Sequence, residues 1–155
     1  MTDILLRPIG YVKNERQDLS DDFWGGIISE IELVDNIPAE TLEGIENFSH
    51  LEIIFHFHKV DSKKQVFSGH PRENPDWPVT GIFAQRKKDR PNLLGATIVK
   101  LKNRQGNKII VENLDAINGT PILDIKPVLK ELLPIGNITQ PKWTSELMQK
   151  YWTTK

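Results

Sequence analysis

The sequence predicts a mainly β fold, a small antiparallel β-barrel with short helices and a C-terminal helix. Three observations lead there. Strand-like runs recur along the chain, the connections between most of them are short, and helical patterns are brief. With 155 residues and no internal repeat or linker, one domain over 1–155 is expected. The barrel should occupy about 4–127, and a C-terminal extension with its helix about 128–155.

Ile4 to Val12 is apolar and β-prone, and a polar stretch from Lys13 to Asp22 ends it. From Ile27 to Val34 the residues alternate with period two. Ile27, Ser29, Ile31 and Leu33 fall on one face, and Ile28, Glu30, Glu32 and Val34 on the other. Ile37 to Phe48 reads as a short helix, with Pro38 in its first turn and Leu42 and Ile45 on one side. Leu51 to His58 is a second strong strand, in which Phe55 and Phe57 alternate against His56 and His58 and suit a core face. Asp61 to Pro78 is polar, carries Pro71, Pro75 and Pro78, and reads as a long surface loop.

Further strands are expected over Val79–Ala84, Leu94–Lys102 and Lys108–Val111, with Gln105-Gly-Asn107 as the hairpin turn between the last two. A final extended run covers Thr120–Ile125, and Pro127 and Pro134 bracket a helical turn. Pro141 to Trp152 reads as the terminal helix. Trp143, Leu147 and Tyr151 recur on it at a spacing of four, the stripe of a docked face.

Composition narrows the function. The chain is 38% hydrophobic and 26% charged, with a net charge of −1, so any nucleic-acid contact must come from a local patch. It has no cysteine, which removes disulfides, thiolate metal sites and Cys nucleophiles. No apolar run approaches the roughly 20 residues of a membrane span. Met1 to Arg7 lacks the basic start and apolar run of a secretory signal, so a cytoplasmic protein without membrane contact is expected.

The segment Gly81-Ile-Phe-Ala-Gln-Arg-Lys-Lys-Asp-Arg-Pro-Asn-Leu-Leu-Gly95 concentrates the candidate chemistry. Arg86 and Arg90 at the mouth of a β structure offer forked, permanently charged donors to an anionic or polar ligand. A solvated basic hairpin is the plainer reading. His56 and His58 share a strand face, but no acidic residue follows to complete a metal set, and no metal is expected. Ser49-His50 and Ser68-Gly-His70 lack a nucleophile elbow and a third member. Asp21 with Asp22, and Glu30 with Glu32, read as solvated pairs. Asp115 follows a strand and precedes a turn, where it can accept hydrogen bonds from a ligand or close its own turn. Asp124 is similarly placed, with Lys126 as its partner. Phe23-Trp24 before Gly25-Gly26 either stacks on a flat ring or caps the barrel.

Several segments together resemble one family. They are Pro8-Ile-Gly-Tyr-Val12, Leu42-Glu-Gly-Ile-Glu-Asn-Phe-Ser-His-Leu51, Gly81 to Arg86 with Arg90-Pro-Asn92 and Gly95, and Leu114-Asp-Ala-Ile-Asn-Gly-Thr-Pro-Ile-Leu-Asp-Ile-Lys-Pro127. In that order they resemble the TsaA-like (TrmO/YaeB) family. The chain differs from the family pattern at Gln85, at Lys87, Lys88 and Asp89, and at Leu93 and Asn118. Against that pattern, the extra C-terminal domain of the longer tRNA enzymes is not expected in it.

The resemblance implies a small antiparallel barrel that binds S-adenosylmethionine, acts as a homodimer, and methylates N6 of threonylcarbamoyl-adenosine in tRNA. It assigns cofactor contacts to His58, Lys59, Arg86, Ala96, Glu112, Asn113, Leu114 and Asp115. Arg90 and Asn92 become candidates for substrate-side or loop-shaping contacts. Lys63, Lys64, Lys87, Lys88 and Arg90 become candidates for a local phosphate-binding rim. No catalytic residue is assigned, because a sulfonium already activates the methyl group and alignment is the main requirement. The alternative is a non-catalytic barrel module that binds S-adenosylmethionine or another adenosine-like ligand.

Overall fold

A computed structural model describes all residues, Met1–Lys155. Six antiparallel strands close a barrel: β1 (Gly10–Lys13), β2 (Ile28–Leu33), β3 (His50–His56), β6 (Leu94–Gln105), β7 (Lys108–Glu112) and β8 (Pro121–Pro127). Around the barrel their order is β1-β2-β7-β6-β3-β8. The remaining two strands, β4 (Ser68–Gly69) and β5 (Thr80–Gly81), form a separate short ribbon.

Alternation places the core. Ser29, Ile31 and Leu33 of β2 point inward, as do Leu51, Ile53 and Phe55 of β3 and Ile109 and Val111 of β7. Each aliphatic side chain taken fully out of water this way contributes about 1.5–3 kcal/mol. The rings of Phe55 and Phe57 meet edge to face, with centroids 5.4 Å apart. On the outer face of β2, Glu30 and Glu32 pair with Lys13 and Lys108 of the neighbouring strands. Lys126 pairs with Asp124 at 2.7 Å. The turn at Gly106 and Asn107 joins β6 to β7, with Gln105 opposite Lys108.

Several elements differ from the sequence expectation. The first strand starts at Gly10, and Ile4, Leu5 and Leu6 are exposed, because β2 and β8 offer partners only from Ile9 onward. The expected helix over Ile37–Phe48 is two 3-10 turns, Ala39–Leu42 and Ile45–Asn47. Gly44 between them adopts φ 83°, which no right-handed helix contains. Leu42 is buried, and Ile45 packs against the core, as the spacing implied.

Val79–Ala84 supplies no barrel strand. Only Thr80–Gly81 is extended, paired with Ser68–Gly69, and Ile82–Ala84 turns as a 3-10 helix. The cause is the buried amide of Gln85. It donates to the carbonyl of Gly69 at 2.9 Å and to the carbonyl and hydroxyl of Thr80 at 3.2 and 3.0 Å. These bonds bind the run to the long loop rather than to the barrel.

The terminal helix α1 is short, Lys142–Leu147, and the chain continues to Trp152 in turns. Pro127 and Pro134 bracket a 3-10 turn at Lys130–Leu132.

Candidate functional site

Because neighbouring strands are antiparallel, the end of β3, the start of β6, the end of β7 and the start of β8 share one end of the barrel. A cleft of about 1090 Å³ opens there. Its floor is barrel, including Phe57, Ala96 and Thr97, and it extends along the outer face to Glu52 and Ile98. Ser20, Asp21 and Trp24 line one side, Arg86 to Asp89 another, and Trp143, Leu147 and Tyr151 a third.

Asp115 sits at the centre of this arrangement because of how β7 ends. Asn113 adopts φ 67°, its backbone N–H donates to the Ile27 carbonyl, and its side-chain oxygen accepts from Gly26 N at 2.8 Å. Leu114 then buries its side chain completely, which turns Asp115 toward the cleft. The Asp115 carboxylate does not close its own turn. Oδ1 accepts from the Thr97 hydroxyl, and Oδ2 accepts from the Tyr151 hydroxyl. The Tyr151 phenol is pushed well above its ordinary pKa, first by burial, then by the Asp115 charge and the hydrogen bond to it.

Arg86 is exposed in the same cleft and donates to the Ala96 carbonyl at 2.6 Å. Consecutive residues of β6 therefore hold the two signature segments: Ala96 receives Arg86, and Thr97 holds Asp115. His58 and Lys59 also line the cleft. His58 lies in a turn just past β3, so it shares no strand face with His56, and its N–H donates to the His56 carbonyl. Burial, and then the positive charge of Lys59, lower the His58 pKa.

Glu112, Asn113 and Leu114 are not among the lining residues. Glu112 pairs with Lys102 at 3.2 Å, and Asn113 and Leu114 shape the approach to Asp115. Arg90 turns back into its own loop, donating to the carbonyls of Gln85 at 2.8 Å and Lys87 at 3.5 Å. Asn92 occupies the left-handed region at φ 64°, and neither residue lines the cleft. Of the basic rim, Lys87 pairs with Asp89 at 3.6 Å and Lys88 with Asp21 at 3.9 Å. Lys63 and Lys64 lie away from the cleft.

Two contributors, Arg72 and Tyr151, lie outside the residues that the sequence assigns to the site, and Trp24 of the Phe23-Trp24 pair joins them. Arg72 lines the cleft and grips Asp22 with two hydrogen bonds, 3.1 and 2.8 Å. Trp24 is buried beneath Arg16 and serves as wall, and its indole N–H donates to the Asp21 carbonyl. Tyr151 was legible only as part of a docked stripe, and Trp143 and Leu147 of that stripe face the cleft with it. The C-terminal segment is strapped down by backbone bonds. Phe23 N donates to the Lys150 carbonyl at 3.1 Å, and Trp24 N to the Tyr151 carbonyl at 2.7 Å. Gly25 permits this approach, since a Cβ there would lie 1.9 Å from the Trp152 carbonyl oxygen.

The closed barrel with an aromatic and ionic cleft at one end defines a small β-barrel domain with a cleft of small-molecule size. The sequence profile of the tRNA-methyltransferase O N-terminal domain matches residues 21–132, and the chain belongs to that family. A human tRNA (adenine(37)-N6)-methyltransferase is 34% identical over 149 residues, spanning 89% of this chain and 33% of the human protein. A probable S-adenosyl-L-methionine-binding protein of Pyrococcus abyssi is 35% identical over 132 residues, covering 83% of this chain and 70% of that protein. The crystal structure of TrmO from P. aeruginosa superimposes with a TM-score of 0.72 at 25% identity, covering 92% of this chain and 62% of that one. The chain thus spans about a third of the human relative's length. No helix is long and apolar enough to cross a membrane.

Proposed function

We propose that the chain binds S-adenosylmethionine in the cleft beside Asp115 and transfers its methyl group to N6 of an adenosine in tRNA, with threonylcarbamoyl-adenosine as the acceptor. The observation that carries this reading is the meeting of Arg86 and Asp115 on adjacent residues of β6. The names borne by the human and Pyrococcus relatives supply the chemistry.

The donor set suits the cofactor. The carboxylate of Asp115 keeps lone pairs for ribose hydroxyl or amine donors beyond those used by Thr97 and Tyr151. The guanidinium of Arg86, with one N–H on Ala96, has four more to offer a carboxylate. His58, Lys59 and Ala96 line the same space. We assign Glu112, Asn113 and Leu114 to the frame that delivers Asp115, and Arg90 and Asn92 to the frame that delivers Arg86.

Bound there, S-adenosylmethionine supplies a methyl group already activated by its sulfonium. The chain's part is to hold the donor and align the acceptor nitrogen, and no covalent catalyst is required. Transfer to N6 would leave the carbon–sulfur electron pair on sulfur, with S-adenosylhomocysteine as the leaving group, and the N6 proton would pass to solvent, so the chain need supply only alignment.

Two measurements test the reading. Titration calorimetry should show saturable binding of S-adenosylmethionine by folded protein. Radiolabelled methyl should pass to total tRNA with the wild type and not with Arg86→Ala. A folded protein that binds no cofactor would sink the proposal. The second reading, a non-catalytic module, is favoured by the internal pairing of Lys87 and Lys88, which weakens attraction for RNA. Binding without any labelling of RNA selects it.

The homodimer belongs to the same proposal. Leu132, Ile135 and Ile138 are 79%, 98% and 72% exposed in one short segment, an apolar strip that a second copy would cover.

A further inference from the structure

Tyr151 lies beyond residues 21–132, the part matched by the family profile, yet it meets Asp115. We propose that Tyr151 is a positioning residue of the cofactor site, acting through Asp115, and that it couples occupancy of that site to the seating of the C-terminal segment. The inference rests on the reading that the ligand binds beside Asp115.

A carboxylate at the end of a turn rotates unless both oxygens are held. Here Thr97 holds Oδ1 and Tyr151 holds Oδ2. A carboxylate accepts about four hydrogen bonds, so two remain for ligand donors, now in a fixed plane. An acceptor already oriented spares the ligand the entropy of ordering it.

Tyr151 is itself placed by contacts that do not involve Asp115. Its carbonyl accepts from Trp24 N at 2.7 Å, and that of Lys150 accepts from Phe23 N at 3.1 Å. Its ring meets Trp152 edge to face, with centroids 5.0 Å apart. Loss of the hydroxyl alone therefore leaves the ring in place and frees only the carboxylate. Burial and the nearby charge keep the phenol protonated, so it donates and never competes for the ligand's donors.

Coupling follows by linkage. Whatever the ligand gains from the oriented carboxylate, the seated segment gains from the ligand. The backbone amides of Phe23 and Trp24, bonded to that segment, report on it.

The test is a double-mutant cycle on the full chain, titrated with S-adenosylhomocysteine by calorimetry. The variants are Tyr151→Phe, Asp115→Asn and the pair together, each checked for folding by circular dichroism. Tyr151→Phe should weaken binding roughly 10- to 150-fold, the size of losing one hydrogen bond to a charged group. Asp115→Asn should weaken it further, and the double variant should bind like Asp115→Asn, because Tyr151 acts only through that carboxylate. Saturating ligand should slow hydrogen exchange at Phe23 and Trp24 in the wild type and less in Tyr151→Phe. Unchanged affinity in Tyr151→Phe, or a loss that adds in full to that of Asp115→Asn, overturns the positioning role. Equal slowing of exchange in both proteins overturns the coupling. Absence of binding by the folded wild type removes the underlying reading instead, and the two failures are distinct.

Discussion

The guanidinium of Arg16 lies 4.0 Å from the centre of the Trp24 ring, and it ties the whole loop between them. It donates to the carbonyls of Asp18, Ser20, Asp22 and Phe23 and to the Ser20 hydroxyl. Arg16 is 8% exposed, so these bonds are made largely out of water. Its charge serves the frame of the cleft wall and is not available to a ligand. Arg16→Ala should cost roughly 2–3 kcal/mol, from the lost cation–π contact and the abandoned carbonyls. For a domain of this length the melting temperature should fall by about 5–10 °C. Scanning calorimetry checks it, and an unchanged midpoint would contradict the role.

Gln85 is a second structural residue inside a functional segment. Its amide bridges Gly69 and Thr80 immediately before Arg86. Gln85→Ala should remove that anchor at a cost of roughly 1–3 kcal/mol, by leaving half-buried carbonyls without their donor. Arg86 would then lose its fixed approach, so cofactor affinity should fall with stability. Measuring both on one preparation separates this from Arg86→Ala, which should weaken binding about 10- to 100-fold with little change in melting temperature.

These two residues show what the sequence disclosed and what it withheld. The alternation in Ile27–Val34 and in Leu51–Phe57 is a local property of a pleated strand with one face buried, and both strands lie where it indicated. Val79–Ala84 has the same apolar texture, but its fate depends on an amide that reaches back to Gly69, which no local pattern carries. The site divides similarly. Arg86 and Asp115 lie in recognisable segments. Arg72 reaches Asp22 across fifty residues of sequence and Tyr151 reaches Asp115 across 36, so neither was assigned to the site. The spacing of Trp143, Leu147 and Tyr151 marked a face, but not that the face looks onto a cleft.

Stability at high pH should carry the signature of Tyr151. Its folded pKa is raised above the unfolded value of about 10. The contribution is therefore fully present below pH 10 and is lost as pH rises beyond it, when the unfolded chain releases a proton that the folded chain retains. The slope is roughly 1.4 kcal/mol per pH unit for one such proton. Thermal midpoints of wild type and Tyr151→Phe between pH 8 and 11 should converge toward the alkaline end, with the wild type declining more steeply. Parallel curves would show that the phenol titrates normally.

The exposed apolar residues Leu132, Ile135 and Ile138 lie outside the cleft lining and are the proposed dimer contact. Its side chains stand in water, and burying three such groups would contribute about 4–9 kcal/mol before the cost of association. That cost is about 4–15 kcal/mol, so the strip alone does not secure a dimer and must be joined by further surface. Ile4, Leu5 and Leu6 are also exposed and supply more apolar area. Light scattering should therefore give twice the mass of 17.8 kDa at micromolar concentration, and Ile135→Glu should return the mass to that of one chain. Ile135 is 98% exposed, so the substitution should leave the melting temperature of the dissociated chain unchanged. If wild type and Ile135→Glu give the same mass, the strip is not the contact.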